Sequence, residues 1–316
     1  MQRVALIYNP ASGQHSSRRT AFVRDALSAL RGAGVEADAM ETNAPGKATV
    51  FAREAISRGY DTILACGGDG TVHEVLQCVV GTPVHLGVVP LGTANALAQN
   101  LGLGTDPVKA VRSLLSAMPV EIPVGRIFYQ DSAGASQSRF FIVAAGVGAD
   151  ALFMSQLDSG LKRWLGYVLY LAEAVRVWAT YKFPRFEVAF TENGSGKSRT
   201  VEASQVLAVR IRSFGGILRQ LAPGATLHGA TLRLLAFKTQ SRMHYLKFLL
   251  AAVFARHTFT RQVELLDAVT VECRPLTGFS AHILIEADGE LLGELPVRME
   301  VVPRALNLLI PADARP

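Results

Sequence analysis

The sequence has few of the residues that mark metal-bound, disulfide-rich or exported proteins. Its three cysteines, Cys66, Cys78 and Cys273, form no CxxC pair, so neither a zinc site nor a disulfide framework is indicated. The seven histidines show no HExxH spacing, which argues against a catalytic zinc. Because the amino terminus lacks the apolar core and cleavage site of a signal peptide, we expect a cytoplasmic protein.

Long apolar runs and clustered basic residues are also missing. The longest strongly apolar helical candidate, residues 246–254, is too short to span a bilayer, so membrane association is expected to be peripheral. No Lys/Arg run with interleaved aromatics is present, which argues against nucleic acid as a partner. The net charge of +6 lies entirely beyond residue 125, since residues 1–125 carry ten basic and ten acidic side chains. A basic second part suits an anionic membrane surface.

The length of 316 residues, nearly half of them apolar, predicts two folded domains. Over the first 120 residues, apolar β-rich runs alternate with amphipathic helical runs, which predicts an α/β domain with a parallel sheet covered by helices. Beyond Val120, longer alternating runs predict an antiparallel β-rich domain. Gly134 and the cluster at residues 193–196 are expected to form its hairpin turns.

The predicted elements of the first domain follow each other as a β-α series. Strands are expected at 4–8, 35–40, 62–66 and 86–90, and helices at 17–31, 47–58, 71–80 and 93–101. Asp106 followed by Pro107 indicates the start of a further helix. In the second domain, strands are expected at 120–129, 139–147, 185–191, 201–212 and 231–237, with helices at 161–181 and 242–256.

The strongest chemical signal is the GGDGT turn at residues 67–71, between a predicted strand and a helix. Such a turn can bind phosphate, because glycines allow positive φ and close approach of an anion, and the helix start offers free N–H groups. A tight connection without a ligand is the alternative. Two further polar turns, at 9–13 and 91–95, also follow strands. Ligands bind at the carboxyl edge of parallel sheets, so the three loops are expected to line one crevice.

These motifs resemble those of the diacylglycerol kinase catalytic-domain family, which includes bacterial lipid kinases and sphingosine and ceramide kinases. The resemblance rests on NPASG at 9–13, GGDGTVHEVL at 67–76, PLGTANALAQNLGL at 90–103 and DGE at 288–290. Weaker similarity at GVGADA (146–151) and LAPGATLHG (221–229) extends it over nearly the whole chain.

The resemblance implies a fold like those of NAD kinase and diacylglycerol kinase. Residues 1–122, joined by the tail 298–316, would form an ATP-binding domain whose parallel sheet has helices on both faces. Residues 123–297 would form an antiparallel β-sandwich that holds the lipid, with the active site in the cleft between the two domains.

The resemblance further implies an ATP-dependent lipid kinase that transfers the γ-phosphoryl group to a hydroxyl of a lipid such as diacylglycerol or a sphingoid lipid. Asp69 would organise Mg²⁺ and water or act on the hydroxyl, and Glu290 would be the general base, as phosphoryl transfer requires. Residues 288–290 also have the pattern of a hairpin turn, which could present Glu290. The positions implied to contact nucleotide are Asn9, Pro10, Ala11, Ser12, Gly13, Thr42, Gly67, Gly68, Asp69, Gly70, Thr71, Glu74, Gly92, Thr93 and Asn95.

Three positions depart from the family pattern. Ala96 and Pro123 stand where most relatives have aspartate, which would remove acidic partners of Asp69. His228 stands where bacterial relatives often hold a second, structural magnesium ion with aspartate, and oxygen ligands suit magnesium better. An NAD kinase-like enzyme and a catalytically weakened lipid- or nucleotide-binding homologue are therefore alternative hypotheses.

The expected partners are a lipid substrate, an anionic membrane surface and, for a homodimer, a second copy. The predicted helix 161–181 is amphipathic, which an ordinary core-facing helix explains. The alternative is that it and residues 243–254 flank the lipid entrance and rest on a bilayer.

Overall fold

The structure is a computed structural model that describes residues 1–13, 19–156, 175–176, 178–193, 196, 198–214, 221–253, 262–278 and 282–312. The chain forms two compact units. The first comprises Met1–Pro123 and Pro303–Pro316, and the second comprises Val124–Val302. The boundaries predicted from the sequence are 122/123 and 297/298.

The first unit is built from strands and helices in alternation. Its strands are β1 (Arg3–Tyr8), β2 (Glu36–Glu41), β3 (Thr62–Gly67) and β4 (His85–Pro90), with the ends of β5 (Met118–Gln130) and β14 (Glu290–Ile310). Its helices are α1 (Arg19–Gly32), α2 (Lys47–Ser57), α3 (Asp69–Val79), α4 (Ala96–Asn100) and α5 (Pro107–Leu115).

The strands of the first unit lie in the order β2, β1, β3, β4, β14, and neighbouring strands in this order are parallel to each other. All six residues of β3 are buried, as expected for the central strand of a covered sheet. Cys66, in this strand, is fully buried, so it is a small apolar core residue.

Two helix starts in the first unit differ from the predicted ones. Helix α3 begins at Asp69, directly after Gly68, rather than at residue 71. Helix α4 begins at Ala96 rather than at residue 93, because Asn95 adopts left-handed backbone angles with φ 49°. The predicted start of α5 is confirmed, since the Asp106 carboxylate accepts hydrogen bonds from Val108 and Lys109 N–H.

The second unit is rich in antiparallel strands. They are β6 (Ser136–Phe141), β7 (Ala144–Val147), β8 (Phe186–Glu192), β9 (Ser198–Ala203), β10 (Gln205–Val209), β11 (Leu232–Phe237), β12 (Val263–Pro275) and β13 (Leu284–Ala287), with parts of β5 and β14. Neighbours run in the order β14, β13, β7, β10, β11, β12, β8, β9. Two described helices, α6 (Ala149–Gln156) and α7 (Arg242–Val253), accompany them. Aromatic and aliphatic side chains from these strands form one buried core.

Several sequence predictions for the second unit need correction. The runs at 139–147 and 201–212 each contain two strands, because the chain changes partner between β6 and β7 and between β9 and β10. Strand β12 was not predicted, although its sequence alternates apolar and polar residues. Gly134, with φ 78°, forms the expected turn. Most of the predicted helix 161–181, as well as residues 194–195 and 254–256, lies outside the described residues.

Candidate functional site

The polar loops that follow β1 and β4 are both hydrogen-bonded to the carboxyl end of β3, where the GGDGT turn begins. The N–H of Asn9 donates to the Cys66 carbonyl at 3.0 Å, and the N–H of Leu91 donates to the Gly67 carbonyl at 2.9 Å. The structure therefore brings residues 9–13, 67–71 and 91–95 together at one edge of the first unit's sheet.

The glycines of this edge are needed for close packing. A Cβ added to Gly67 would lie 2.2 Å from Thr71 Oγ1, and one added to Gly92 would lie 2.5 Å from Gly68 Cα. Residues 67–70 do not use the positive φ that glycine allows: Gly68 has φ −87°, and neither Gly67 nor Gly70 has positive φ. Glycine is required at 67 and 92 because neighbouring groups approach closely.

Gly70 differs from Gly67 and Gly92. An added Cβ there would meet no atom within 4 Å, and its φ is not positive. It lies in the first turn of α3, where backbone N–H groups and the helix dipole favour an anion. Neither packing nor backbone conformation within the protein requires glycine at this position.

Asn95 and Asp69 fix the loop between β4 and α4. The Asn95 side chain accepts from Gly92 N–H at 2.9 Å and donates to the Gly92 carbonyl at 2.8 Å. The Asp69 carboxylate accepts from the N–H of Ala96 at 2.9 Å, which links the start of α3 to the start of α4. Thr93 is exposed beside them. Although Ala96 supplies no carboxylate, its backbone holds Asp69 in place.

The loop after β1 is folded on itself. Asn9 Oδ1 accepts from Ala11 N–H at 2.9 Å, Ser12 N–H donates to the Asn9 carbonyl at 3.2 Å, and Gly13 has φ 69°. Pro10 lies within this turn. These contacts form an Asx-type turn that orients backbone N–H groups without a long side chain in the way.

Thr42 lies just beyond the carboxyl end of β2 and is buried. Its N–H and its hydroxyl both donate to the Tyr8 carbonyl, at 2.8 and 3.2 Å. The Tyr8 hydroxyl bonds Glu41, and burial together with this carboxylate raises the pKa of Tyr8 to about 12. Thr42 is therefore held by β1, next to the loop of Asn9.

Glu74, which the resemblance implies to be a nucleotide contact, lies against the amino end of α2. Its two carboxylate oxygens accept from the N–H groups of Gly46 and Ala48, at 2.9 and 3.0 Å, at the amino end of α2. Gly46, the residue before this helix, has no capping side chain of its own. Glu74 thus caps α2 from α3, a role that charge and helix dipole both favour.

Glu74→Ala is expected to lower the free energy of unfolding by about 1–2 kcal/mol, the cost of losing a helix cap. ATP affinity should stay within about twofold of the wild type. Thermal denaturation and calorimetric titration with ATP measure the two effects. An unchanged melting temperature together with lost ATP binding would instead assign Glu74 to the nucleotide.

In the second unit, Glu290 follows a tight turn between β13 and β14. Asp288 and Gly289 both have positive φ, 49° and 86°, as a two-residue hairpin requires. The Asp288 carboxylate accepts from three consecutive N–H groups, those of Ile142, Val143 and Ala144, at 2.8–3.1 Å. The turn that carries Glu290 is therefore anchored on the β6–β7 connection.

Beneath this turn lies a carboxyl pair that the sequence reasoning missed. Glu286, only 3% exposed, accepts from Gly289 N–H at 2.8 Å and shares a hydrogen bond with Asp150 of α6. Burial, and then the Asp150 charge, raise the pKa of Glu286 well above its ordinary value. The signal in the sequence was a glutamate within the otherwise apolar run of β13.

The described residues offer limited means of holding metal. They contain no group of three or more His, Cys, Asp or Glu arranged around a cation. Magnesium is commonly held by one or two carboxylates together with substrate phosphates and water. The Asp69 carboxylate fits this pattern, because it could hold a magnesium ion that arrives with a nucleotide.

His228, the candidate for a second metal site, is exposed on the loop before β11. The carbonyls on either side of it, those of Leu227 and Gly229, accept from Arg210 Nη2 at 2.9 and 3.1 Å. Arg210 is fully buried, and burial lowers its pKa to about 10. A guanidinium cation therefore already binds the carbonyl oxygens that flank His228.

A sheet with three glycine-containing loops at its carboxyl edge, followed by a β-rich unit, defines an α/β protein with a second β domain. Two family models match the chain: the diacylglycerol kinase catalytic domain over residues 3–127, and the YegS C-terminal NAD kinase beta sandwich-like domain over residues 142–310. The chain belongs to the diacylglycerol kinase family, which confirms the family predicted from the motifs.

Similar proteins of known name support this assignment. The chain is 26% identical to diacylglycerol kinase of Bacillus subtilis (strain 168) over 316 residues, covering 99% of this chain and 98% of that protein. It is 25% identical to diacylglycerol kinase of Staphylococcus saprophyticus over 316 residues, covering 99% and 97%.

Solved structures show the same fold. A diacylglycerol kinase from Bacillus anthracis str. Sterne superposes with a TM-score of 0.75 at 20% identity, covering 99% of both chains. Yeast NADH kinase in complex with NADH gives a TM-score of 0.51 at 9% identity, covering 98% of this chain and 83% of that one. The predicted two-domain fold, with NAD kinase-like neighbours and a C-terminal β domain, is confirmed at this level.

Proposed function

We propose that this protein is an ATP-dependent lipid kinase that transfers the γ-phosphoryl group to a hydroxyl of a lipid of the diacylglycerol or sphingoid class. The family assignment confirms the predicted lipid kinase class. The observation that carries the proposal is that three glycine-containing loops lie at one sheet edge. There Asp69, at the start of α3, accepts a hydrogen bond from the start of α4.

The nucleotide is proposed to bind at the first unit's loops. Gly70 leaves open space at the start of α3, and backbone N–H groups there suit phosphate oxygens. Asn9 to Gly13, Thr42, Gly67 to Thr71, Gly92, Thr93 and Asn95 remain the proposed contacts, whereas Glu74 is now proposed to cap α2 instead. The parallel strand pairs support the expected nucleotide-binding sheet, and the beta sandwich-like family description supports a lipid-binding second unit.

Asp69 and Glu290 are the proposed reactive carboxylates. Magnesium, held by Asp69 and the ATP phosphates, would neutralise charge on the phosphoryl group. Asp69 is positioned for this by the Ala96 N–H. Glu290 would accept the proton of the attacking lipid hydroxyl, a task for an ionised carboxylate on a rigid turn. No step is assigned to His228.

A peripheral contact with an anionic membrane is part of the proposal. No described helix is long and apolar enough to cross a bilayer. On α7, Met243 and Leu250 are half exposed and lie on one face with exposed Lys247, while Tyr245 and Phe248 are buried. Apolar side chains beside a cation match an anionic lipid surface.

A homodimer stays a prediction, and light scattering would measure the oligomeric state.

The test is phosphoryl transfer from labelled ATP with magnesium to diacylglycerol, sphingosine, ceramide, phosphatidylglycerol and NAD. Lipids are presented in vesicles of neutral or partly anionic phospholipid. We expect label on a lipid. The rate should be higher on anionic vesicles, because the basic second unit should bind an anionic surface. Label on NAD alone would refute the proposal in favour of an NAD kinase.

A catalytically weakened homologue is the second candidate function, favoured by the alanine at position 96 and the proline at 123. It predicts ATP binding, measured by calorimetry, without transfer to any acceptor.

Equal rates on neutral and anionic vesicles would contradict only the membrane contact, and not the lipid kinase activity, in the proposal.

A further inference from the structure

We propose that the Glu286–Asp150 carboxyl pair is a positioning device for Glu290, and that it must carry one proton for the enzyme to turn over. The inference rests on the proposed function, because it assumes that Glu290 is the general base. It assigns a role to two acidic residues that do not themselves need to touch the substrate.

The turn before Glu290 is tied down on both sides. Asp288 binds three backbone N–H groups of residues 142–144, and the N–H of Gly289 donates to Glu286 Oε2 at 2.8 Å. Glu290 itself pairs with Ala287 across the hairpin. Among these anchors, the bond to Glu286 is made by the residue directly before Glu290, so a movement of Glu286 would be transmitted to the general base.

The two carboxyl groups occupy one small space next to Gly146. A Cβ on Gly146 would lie 2.4 Å from Asp150 Oδ2 and 2.8 Å from Glu286 Oε1. Two ionised carboxylates confined in this way repel each other, whereas one shared proton converts the contact into a hydrogen bond. The absence of a side chain at Gly146 leaves room for this arrangement.

The surroundings of Glu286 favour its protonated form. Burial raises its pKa most, and the charges of Asp150 on α6 and of Asp288 in the turn raise it further. The hydrogen bond from Gly289 N–H acts in the opposite direction but is a smaller effect. At a pH high enough to remove the shared proton, repulsion should displace Glu286, and with it the Gly289 anchor.

The direction of the pH dependence follows from the raised pKa. The stability that the pair contributes is complete below the ordinary carboxyl pKa and is lost as pH rises through the raised value. Turnover should fall on the alkaline side for the same reason.

Glu286→Gln is the decisive variant. Its amide oxygen can accept from Gly289 N–H, and its amide nitrogen can donate to Asp150, so no shared proton is needed. We expect turnover within about threefold of the wild type near neutral pH, with the alkaline fall moved upward by about one pH unit or more. Glu286→Ala should lower kcat about tenfold with an unchanged KM for ATP.

Four measurements separate the possible failures. Absence of lipid phosphorylation by the wild type would refute the proposed function, and wild-type turnover in Glu290→Gln would refute its role as general base. An active wild type whose alkaline fall is unchanged in Glu286→Gln would overturn the inference. Melting temperatures between about pH 6 and about pH 9 test the pair without activity: the Gln variant should lose less stability than the wild type.

Discussion

Asp69→Ala is expected to lower kcat about a hundredfold or more, because it removes the only carboxylate that the GGDGT turn contributes to the proposed magnesium and phosphate site. The variant also loses the hydrogen bond from Ala96 N–H. Circular dichroism and thermal denaturation should show a folded protein, since Asp69 is not part of the buried core. Wild-type turnover in this variant would refute the assigned role.

Asp69→Asn is the matched control. Asparagine keeps an oxygen that can accept from the N–H of Ala96, but it removes the negative charge. If charge on the metal and phosphates is what matters, the Asn variant should be nearly as slow as the Ala variant. Near-normal turnover in Asn, with slow turnover in Ala, would show that Asp69 acts by tying α3 to α4.

Gly92→Ala is expected to abolish measurable ATP binding, because the new methyl group would lie 2.5 Å from Gly68 Cα, which is backbone and cannot rotate away. The loops after β3 and β4 would have to separate. Overpacking of this kind costs about 1–3 kcal/mol, so the melting temperature should fall as well. Calorimetric titration with ATP and thermal denaturation measure both effects.

Gly70→Ala separates nucleotide binding from folding. The added methyl group meets no protein atom, and alanine is the better helix former, so stability should be unchanged or slightly higher. ATP affinity should nevertheless fall by about tenfold or more, since the methyl group would enter space proposed for phosphate. Wild-type ATP affinity in Gly70→Ala would contradict a phosphate site at this turn.

The sheet edge of the first unit was predictable because its signals are local. Buried parallel strands are continuous apolar runs, and each is followed by a glycine-containing turn, so β1, β3 and β4 and their loops could be located from the sequence. The helix start at Asp106 was likewise encoded in two adjacent residues.

Contacts between residues distant in sequence could not be predicted. The bond between Asp69 and Ala96 joins residues 27 apart, and Asp288 binds Ile142 across 146 residues. The packing of Gly92 against Gly68 explains the glycine at position 92, and no local pattern contains this reason. Glu74 is a further case, because the family motif implied a nucleotide contact and did not reveal the helix cap that tertiary structure forms with this side chain.

The strand β14 has a consequence for the synthesis of the protein. It runs for 21 residues, and its end at Asn307 and Leu308 pairs with β4, at the far side of the first unit's sheet. During translation, this edge of β4 therefore stays unpaired while more than two hundred further residues are added to the chain. A fragment that ends at residue 302 would keep every glycine loop of the first unit, yet expose the strand beside them to aggregation.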